Sequence, residues 1–257
     1  MYKMVVSDFY GALINSEEAI SLSTMIELDR IRKNGVLFCI TTNKSARIVI
    51  DYNKDFPFID YVVAFNGSYV FDLKKNKLLY SKSMAGSVVK KIYKMFKDKD
   101  LCFYTLDCCN YSGRYKDADF SEEIDNIDNF IEENKAGIYK IKIFFDSYKS
   151  AKEALKVLKE EKRLVSYLKE NDDIYFLEIY NSKESKLSGI KRILDKNKLN
   201  LKDVLAICSS VSSCDLIKSV GYGCVVSNGF DKLKRKAKEE TKSNEEKGVE
   251  QIIRKFF

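Results

Sequence analysis

Short apolar runs alternate with amphipathic stretches along most of the chain. The runs Tyr2–Val6, Val36–Thr41 and Val204–Cys208 are nearly continuous in apolar residues, which is typical of strands buried on both faces of a parallel sheet. Glu17–Lys33 and Ser188–Lys196 instead carry apolar residues at helical spacing. Further predicted elements are the helices Ala46–Lys54 and Cys214–Ser219 and the strands Tyr61–Phe65 and Gly223–Val226. We therefore predict an α/β fold whose parallel sheet is covered by helices on both faces.

The middle of the chain has a different pattern. Leu164–Leu168 and Ile174–Ile179 flank a polar turn and predict an antiparallel hairpin. Other predicted elements of this region are the helices Gly86–Lys97, Ser121–Glu133 and Ser150–Lys162 and the strand Ile138–Phe145. The pattern predicts a discontinuous core domain, residues 1–81 and 183–257, interrupted by an α+β domain at residues 82–182.

Composition removes several classes of function. The 257 residues include no His, which excludes Ser-His-Asp and Cys-His catalysis and His-ligated zinc sites. The formal charge is +7, but most Lys residues are interleaved with acids, so we expect no nucleic-acid partner. No apolar run of about 18 residues occurs, so we expect no membrane span. Several of the seven Cys lie in apolar runs, which favours buried thiols in the cytoplasm.

Side chains suited to chemistry follow the predicted strands of the core. Asp8 follows the first strand and is a candidate nucleophile, while Thr41 and Thr42 end the second and can hold an anion. Lys186 lies at the start of the first helix after the insert and supplies a point charge for phosphate. A hydroxyl-rich loop, Ser209–Ser213, follows the strand Val204–Cys208. Because the carboxyl ends of parallel strands meet at one edge of a sheet, we expect these groups to converge.

Five segments, in this order, resemble the motifs of the haloacid-dehalogenase-like superfamily. They are Asp8-Phe-Tyr10-Gly11, Thr41-Thr42-Asn43, Asn66-Gly67-Ser68, Glu178-Ile179 with Lys186, and Gly221–Gly229. The resemblance is specifically to the Cof-type phosphatases and covers nearly the whole chain. It implies a Rossmann-like core with a parallel sheet and an inserted α+β cap domain of type IIB.

The resemblance also implies roles for individual residues. Asp8 would attack a phosphomonoester similar to a sugar phosphate and form an aspartyl-phosphate, with Tyr10 at the acid/base position and Lys186 as the third catalytic residue. Mg²⁺ would be bound at Asp8, Tyr10 and Ser209, the family's metal positions. The implied residues for binding phosphate or substrate are Thr41, Thr42, Asn66, Gly67, Lys186 and Asn228. A small phosphorylated metabolite is the implied partner, and we expect a monomer or a weak homodimer.

Two motifs depart from the family pattern. Tyr10 replaces the second Asp of the first motif, and Ser209 to Ser213 replace the acidic fourth motif. Since Mg²⁺ prefers about six oxygen ligands with carboxylates among them, we expect its binding to be weak or absent. Loss of the acid/base carboxylate lowers the rate by about 10²–10⁴. We therefore expect catalysis to be weakened or lost.

Two alternatives to a phosphatase follow from these departures. One is a protein that binds a phosphorylated ligand without turnover, or has a regulatory role, and keeps Thr41, Lys186 and Asn66 for that purpose. The other is metal-independent chemistry like that of the superfamily's dehalogenases, whose first motif also reads Asp-x-Tyr-Gly and whose fourth is rich in Ser.

Overall fold

The structure, a computed structural model, describes residues 2–55, 57–107, 109–113, 121–134, 137–171 and 174–257. The chain divides into two compact units. The first comprises Met1–Tyr80 and Ser185–Phe257, and we call it the core unit. The second comprises Ser81–Glu184, and we call it the cap unit.

The strands are β1 (Met4–Asp8), β2 (Leu37–Thr41), β3 (Tyr61–Ala64), β4 (Tyr69–Asp72), β5 (Lys77–Ser81), β6 (Leu101–Tyr104), β7 (Cys109–Ser112), β8 (Ser121–Glu123), β9 (Lys140–Phe145), β10 (Leu164–Asn171), β11 (Ile174–Asn181), β12 (Val204–Cys208), β13 (Tyr222–Val226) and β14 (Glu239–Thr241). The α-helices are α1 (Leu22–Lys33), α2 (Ala46–Asp55), α3 (Gly86–Met95), α4 (Ile127–Glu133), α5 (Tyr148–Leu158), α6 (Lys186–Asn197), α7 (Cys214–Ser219), α8 (Asp231–Lys234) and α9 (Gly248–Phe256).

The core unit is built on a sheet with the strand order β14-β13-β12-β1-β2-β3-β4-β5. The pairs from β14 to β3 are parallel, whereas β4 runs antiparallel to β3. Every residue of the central strands β1 and β12 is buried, in agreement with the apolar runs Met4–Val6 and Val204–Cys208. The sheet places the carboxyl ends of β1, β2 and β12 side by side. The predicted α/β fold with a parallel core sheet is confirmed.

The cap unit contains a second sheet, ordered β10-β11-β9-β6-β7-β8. The predicted hairpin is present, since β10 and β11 pair in antiparallel register from Leu164↔Asn181 to Asn171↔Ile174. Apolar residues on one face of this sheet pack against α3, α4 and α5. The resulting core includes Val88, Ile92, Phe103, Ile141, Ile143, Leu158 and Leu177.

Two helices begin later in the chain than their sequence patterns suggest. The predicted helix Ser121–Glu133 is wrong in its first part, because Ser121–Glu123 pairs with β7 as a strand and α4 begins only at Ile127. The Asn126 side chain accepts hydrogen bonds from Asp128 N and Asn129 N, which fixes that start. Similarly, α1 begins at Leu22, where Ser21 accepts from Thr24 N.

Two further findings bear on the environment of the chain. In the part that the structure describes, no helix is long and apolar enough to cross a bilayer. The six described cysteines are all buried and unbridged; they are Cys39, Cys102, Cys109, Cys208, Cys214 and Cys224.

Candidate functional site

Asp8 is the last residue of β1, and its side chain is only 2% exposed. The parallel register of β1 and β2 pairs it with Thr41, the last residue of β2. On the other side of β1, the loop after β12 begins at Ser209. Asp8 therefore lies at the carboxyl edge of the sheet, where three neighbouring strands end together.

Within the part of the chain that the structure describes, five groups donate hydrogen bonds to the Asp8 carboxylate. Its Oδ1 accepts from Thr41 Oγ1 at 2.5 Å and from Lys186 Nζ at 2.6 Å. Its Oδ2 accepts from the backbone N–H groups of Ser209 and Ser210 at 3.0 and 3.1 Å. The Ser213 hydroxyl lies 3.1 Å from Oδ1 and 3.0 Å from Oδ2. A carboxylate has about four lone-pair positions, so these contacts fill its accepting capacity.

These contacts determine the charge state of Asp8. Burial by itself raises the pKa of the Asp8 carboxyl, because it removes water from the charged form. The positive charge of Lys186 and the hydrogen bonds from Lys186, Thr41 and Ser209 outweigh burial and hold the pKa below its ordinary value. At neutral pH Asp8 is therefore an ionised carboxylate, the form that can attack an electrophile.

The position of Lys186 is set by the start of α6. Ser185 caps this helix by accepting from Ser188 N, while the Ser188 hydroxyl accepts from Ser185 N. The turn at Gly67 packs directly on this helix start, since a Cβ added to Gly67 would lie 2.0 Å from Ser185 O. Lys186 is buried, and its ammonium also donates to the Ser213 hydroxyl at 3.0 Å. Lys186 therefore holds Asp8 directly and through Ser213.

The loop after β12 also closes on the backbone that follows Asp8. The Ser209 hydroxyl donates to the carbonyl of Tyr10 at 3.1 Å. Gly11 has a φ of +73°, and a Cβ added there would lie 2.9 Å from Ser209 Oγ, so the close approach requires glycine. Asn228 donates to the carbonyl of Gly11 at 3.0 Å. The turn after β1 is therefore fixed from two directions.

The structure brings together some of the residues that the sequence singles out and distributes others around them. Asp8, Thr41 and Lys186 are in direct contact. The Thr42 hydroxyl accepts from the backbone N–H of Lys44 within its own loop, and Asn228 supports the Gly11 turn. The sequence points to Ser209 and, as part of the altered fourth motif, to Ser213, but it does not indicate Ser210 or which atom of each serine faces Asp8.

Two other candidate residues have distinctive surroundings. The ring of Tyr10 packs nearly perpendicular to Phe9 at 5.2 Å between centroids, and the Lys44 ammonium lies 4.0 Å above it. Asn66 is fully buried in a left-handed turn at φ 55°, and neither polar atom of its side chain has a hydrogen-bond partner among the described residues. Such a buried amide is costly unless water or a ligand completes it.

The residues around Asp8 do not fit the Mg²⁺ ion that the family resemblance implies. The Asp8 oxygens accept from Ser213 Oγ, and the Tyr10 carbonyl accepts from Ser209 Oγ. Serine hydroxyls therefore bind the oxygens that a cation would need, and they bring no negative charge to hold it. Within the described ranges, no three His, Cys, Asp or Glu side chains are grouped closely enough to bind a metal ion.

The comparisons with known proteins agree with this architecture. The model of the haloacid dehalogenase-like hydrolase family matches residues 5–253. Phosphoglycolate phosphatase 1 of Saccharolobus solfataricus is 26% identical over 263 residues, covering 100% of this chain and 96% of that protein.

Two solved structures share the fold. A haloacid dehalogenase-like hydrolase of B. subtilis superposes with a TM-score of 0.88 at 16% identity, covering 99% of this chain and 100% of that one. A sugar phosphatase of subclass IIB of the haloacid dehalogenase (HAD) superfamily superposes with a TM-score of 0.81 at 15% identity, covering 99% of this chain and 98% of that one. The chain belongs to the haloacid dehalogenase-like hydrolase family and has that family's Rossmann-like core and cap.

Proposed function

We propose that the chain binds a small phosphorylated metabolite at Asp8, Thr41 and Lys186, and that it hydrolyses the phosphomonoester slowly or not at all. The observation that carries this proposal is the saturated Asp8 carboxylate, held by five protein donors of which only Lys186 is charged. The names of the relatives, a phosphoglycolate phosphatase and a sugar phosphatase, support a small phosphate ester as the ligand.

Lys186 has two tasks in this proposal. An ammonium has three donors, and two of them already contact Asp8 and Ser213. The third can hold a phosphoryl oxygen close to the Asp8 carboxylate. Thr41 keeps its donor on Asp8 Oδ1 and so fixes the direction of the carboxylate. Lys186 therefore binds the ligand and, together with Thr41, aligns the nucleophile with phosphorus.

The charge balance explains why we propose slow turnover. An Asp8 carboxylate facing a phosphate oxygen at about 4 Å costs roughly 4 kcal/mol at an effective dielectric near 20. Lys186 offsets one such repulsion, but the phosphate dianion carries a second negative charge. The family's acid/base carboxylate is replaced by the phenol of Tyr10, and a phenol is a far weaker acid than a carboxyl group and does not readily supply a base at neutral pH. Both steps of the family reaction are therefore slowed.

Binding and turnover can be tested separately. We expect inorganic phosphate and sugar phosphates to raise the melting temperature without Mg²⁺, and Lys186→Met to abolish that shift. We expect p-nitrophenyl phosphate hydrolysis to be near background with or without Mg²⁺. Asp8→Asn serves as the matched variant, since it keeps the size of the side chain but removes the attacking carboxylate. Mg²⁺-dependent hydrolysis at an ordinary enzyme rate, lost in Asp8→Asn, would contradict the proposal.

A second candidate function is attack of Asp8 on carbon without a metal. It is favoured by one observation: the carboxylate is ionised and oriented by hydroxyl, N–H and ammonium groups alone. A halide leaves carbon without being protonated, so this reaction needs no acid at the position of Tyr10. Halide release from 2-chloropropionate, absent in Asp8→Asn, would establish it. No release above that of Asp8→Asn would eliminate it.

We also propose a cytoplasmic location, on the basis of the unbridged buried cysteines.

A further inference from the structure

The loop that follows β2 extends across the end of β1. Its residue Asn43 donates from the side-chain amide to the Ser212 hydroxyl at 3.2 Å, in the loop that follows β12. Because β1 lies between β2 and β12 in the sheet, this contact joins the two flanking loops beyond the carboxyl end of β1. Asp8 lies at the same edge of the sheet. The residue after Asn43, which is Lys44, therefore lies at the rim of the Asp8 site.

The backbone of Lys44 is fixed by hydrogen bonds. Its N–H donates to Thr42 Oγ1 at 3.0 Å, and its carbonyl accepts from Phe65 N at 3.3 Å. Thr42 is itself attached to β3, since its N–H donates to the carbonyl of Val63 at 2.9 Å. The core sheet therefore determines where the Lys44 side chain begins.

The ammonium of Lys44 lies 4.0 Å from the centroid of the Tyr10 ring. Tyr10 follows Asp8 by two residues, and its carbonyl accepts from the hydroxyl of Ser209. The N–H of Ser209 donates to Asp8 Oδ2. The side chain of Lys44 therefore extends towards the turn that follows Asp8. Lys44 is exposed, and the attraction of a cation to a ring is weak at an exposed position, so an anion can draw the ammonium away.

Lys44 differs from two nearby cations in its partners. Among the described residues, its ammonium forms no ion pair with a carboxylate. Arg47, in contrast, lies 3.9 Å from the carboxylate of Asp51. The ammonium of Lys186 lies 2.6 Å from Asp8, whose charge balances it. The positive charge of Lys44 is therefore available to an anion that enters the Asp8 site.

We propose that Lys44 binds the second negative charge of a phosphate dianion held at Lys186. This inference rests on the proposed phosphate site and adds to it a preference for dianionic over monoanionic groups. An ammonium can fill this role without the carboxylate ligands that a metal ion needs. It does not restore hydrolysis, because Lys44 brings no carboxylate to the acid/base position. Since Lys44 is exposed and Lys186 is buried, solvent and salt screen the charge of Lys44 more, and its loss should weaken binding less.

The test is calorimetric titration of the whole chain with glucose 6-phosphate and its displacement by glucose 6-sulfate, at pH 8 and low salt without Mg²⁺. The phosphate ester is a dianion here, because its second ionisation occurs at roughly pH 6, whereas the sulfate ester carries one negative charge. We expect Lys44→Met to weaken binding of the phosphate ester about tenfold and that of the sulfate ester less than about twofold. Lys44→Arg keeps the charge and should stay within about threefold of the wild type for both esters. Lys218→Met is the matched control, since Lys218 is also exposed but lies in the last turn of α7.

Two outcomes would overturn this inference and leave the phosphate site itself in place. One is a loss of affinity in Lys44→Met no larger than in Lys218→Met. The other is an equal loss for the phosphate and sulfate esters, which would show that Lys44 does not recognise the second charge. If the wild type binds neither ester, the proposed function fails and this inference fails with it.

Discussion

Each unit of the molecule buries a carboxylate against lysine, but the two sites are built differently. Asp8 in the core unit lies at a strand end, where loops bring backbone N–H and hydroxyl groups to it. Glu178 in the cap unit lies inside β11, directly across from Lys142 of β9. Its carboxylate contacts Lys169 at 2.6 Å, Lys140 at 3.6 Å and the Tyr180 hydroxyl at 3.1 Å.

The difference shows how position within a sheet determines what a buried carboxylate can do. In mid-strand, the partners of Glu178 are side chains of its own and neighbouring strands, and backbone N–H groups are engaged in the sheet. At a strand end, the loop backbone is available, so Asp8 is held by neutral donors with a single lysine. The Glu178 cluster lies within a sheet, whereas the Asp8 site is where we propose that a ligand binds beside Lys186.

The largest effect is expected from returning acids to the Asp8 site. The triple variant Tyr10→Asp, Ser209→Asp, Ser213→Asp supplies carboxylates where serine hydroxyls now bind the oxygens of Asp8 and Tyr10. We expect it to be less stable than the wild type without Mg²⁺, because like charges are clustered, and to regain stability with it. Hydrolysis of p-nitrophenyl phosphate should rise by about 10² or more. Mg²⁺ titrations followed by urea unfolding and by turnover measure both effects.

The control for this variant is Glu178→Asp, which alters an acid in the cap unit without adding one. It should show no response to Mg²⁺. If the wild type already binds Mg²⁺ as tightly as the triple variant, the serines do not block the cation, and our interpretation of the Asp8 site is wrong.

A pair of matched substitutions compares the two sites directly. Lys186→Met removes the ammonium that binds Asp8, leaves a buried charge uncompensated, and should lower the free energy of unfolding by about 3–5 kcal/mol. Lys140→Met leaves Lys169 and Lys142 facing Glu178, so its cost should be about 1–2 kcal/mol. Both lysine side chains are 2% exposed, so burial does not separate them. Urea unfolding measures both variants, and equal losses would remove the distinction that we draw.

The pH dependence of stability probes Glu178. Burial opposes its ionisation, but Lys140 and Lys169 outweigh burial and lower the pKa of Glu178 to about 2 from an ordinary 4.5. A lowered carboxyl pKa stabilises the fold above the unfolded value, and this contribution is lost as the pH falls from 4.5 towards 2. The shift corresponds to about 3 kcal/mol.

Hydrogen exchange of the β9 and β11 amides between pH 5 and pH 3 can follow this loss. Protection should fall more steeply in the wild type than in Glu178→Gln, which has no charge to lose. Parallel curves for the two proteins would show that Glu178 ionisation does not stabilise the cap sheet.

The sequence predicts those features of the fold and of the Asp8 site that depend on apolar runs and on where strands end. Asp8 and Thr41 meet because the carboxyl ends of adjacent parallel strands lie side by side, and Lys186 reaches Asp8 from the first turn of α6. The strand at Ser121–Glu123 escapes prediction, since its pairing with β7 overrides its helical pattern.

The hydrogen-bond donors to Asp8 cannot be predicted from the sequence, for a different reason. Ser209, Ser210, Ser212 and Ser213 are equivalent in sequence, and only the turn of the loop decides which of them donates and with which atom. Ser210 uses its backbone N–H, and Ser213 uses its hydroxyl. No residue pattern distinguishes these two uses, because every residue except proline has the same backbone donor.

The smallest expected effect on stability is the difference between substituting Ser213 and substituting Ser210. Ser213→Ala removes a hydroxyl that donates to Asp8 and accepts from Lys186, and it leaves both groups buried with one partner fewer. It should lower the free energy of unfolding by about 1–2 kcal/mol. Ser210→Ala keeps the N–H that contacts Asp8 Oδ2. It loses a hydroxyl contact to Ser212 and a long, 3.4 Å hydrogen bond from Ser212 N, both at a partly exposed turn, so it should cost only about 0.5 kcal/mol. Urea unfolding resolves the two variants, and a loss in Ser210→Ala as large as that in Ser213→Ala would contradict the different uses that we assign to these two serines.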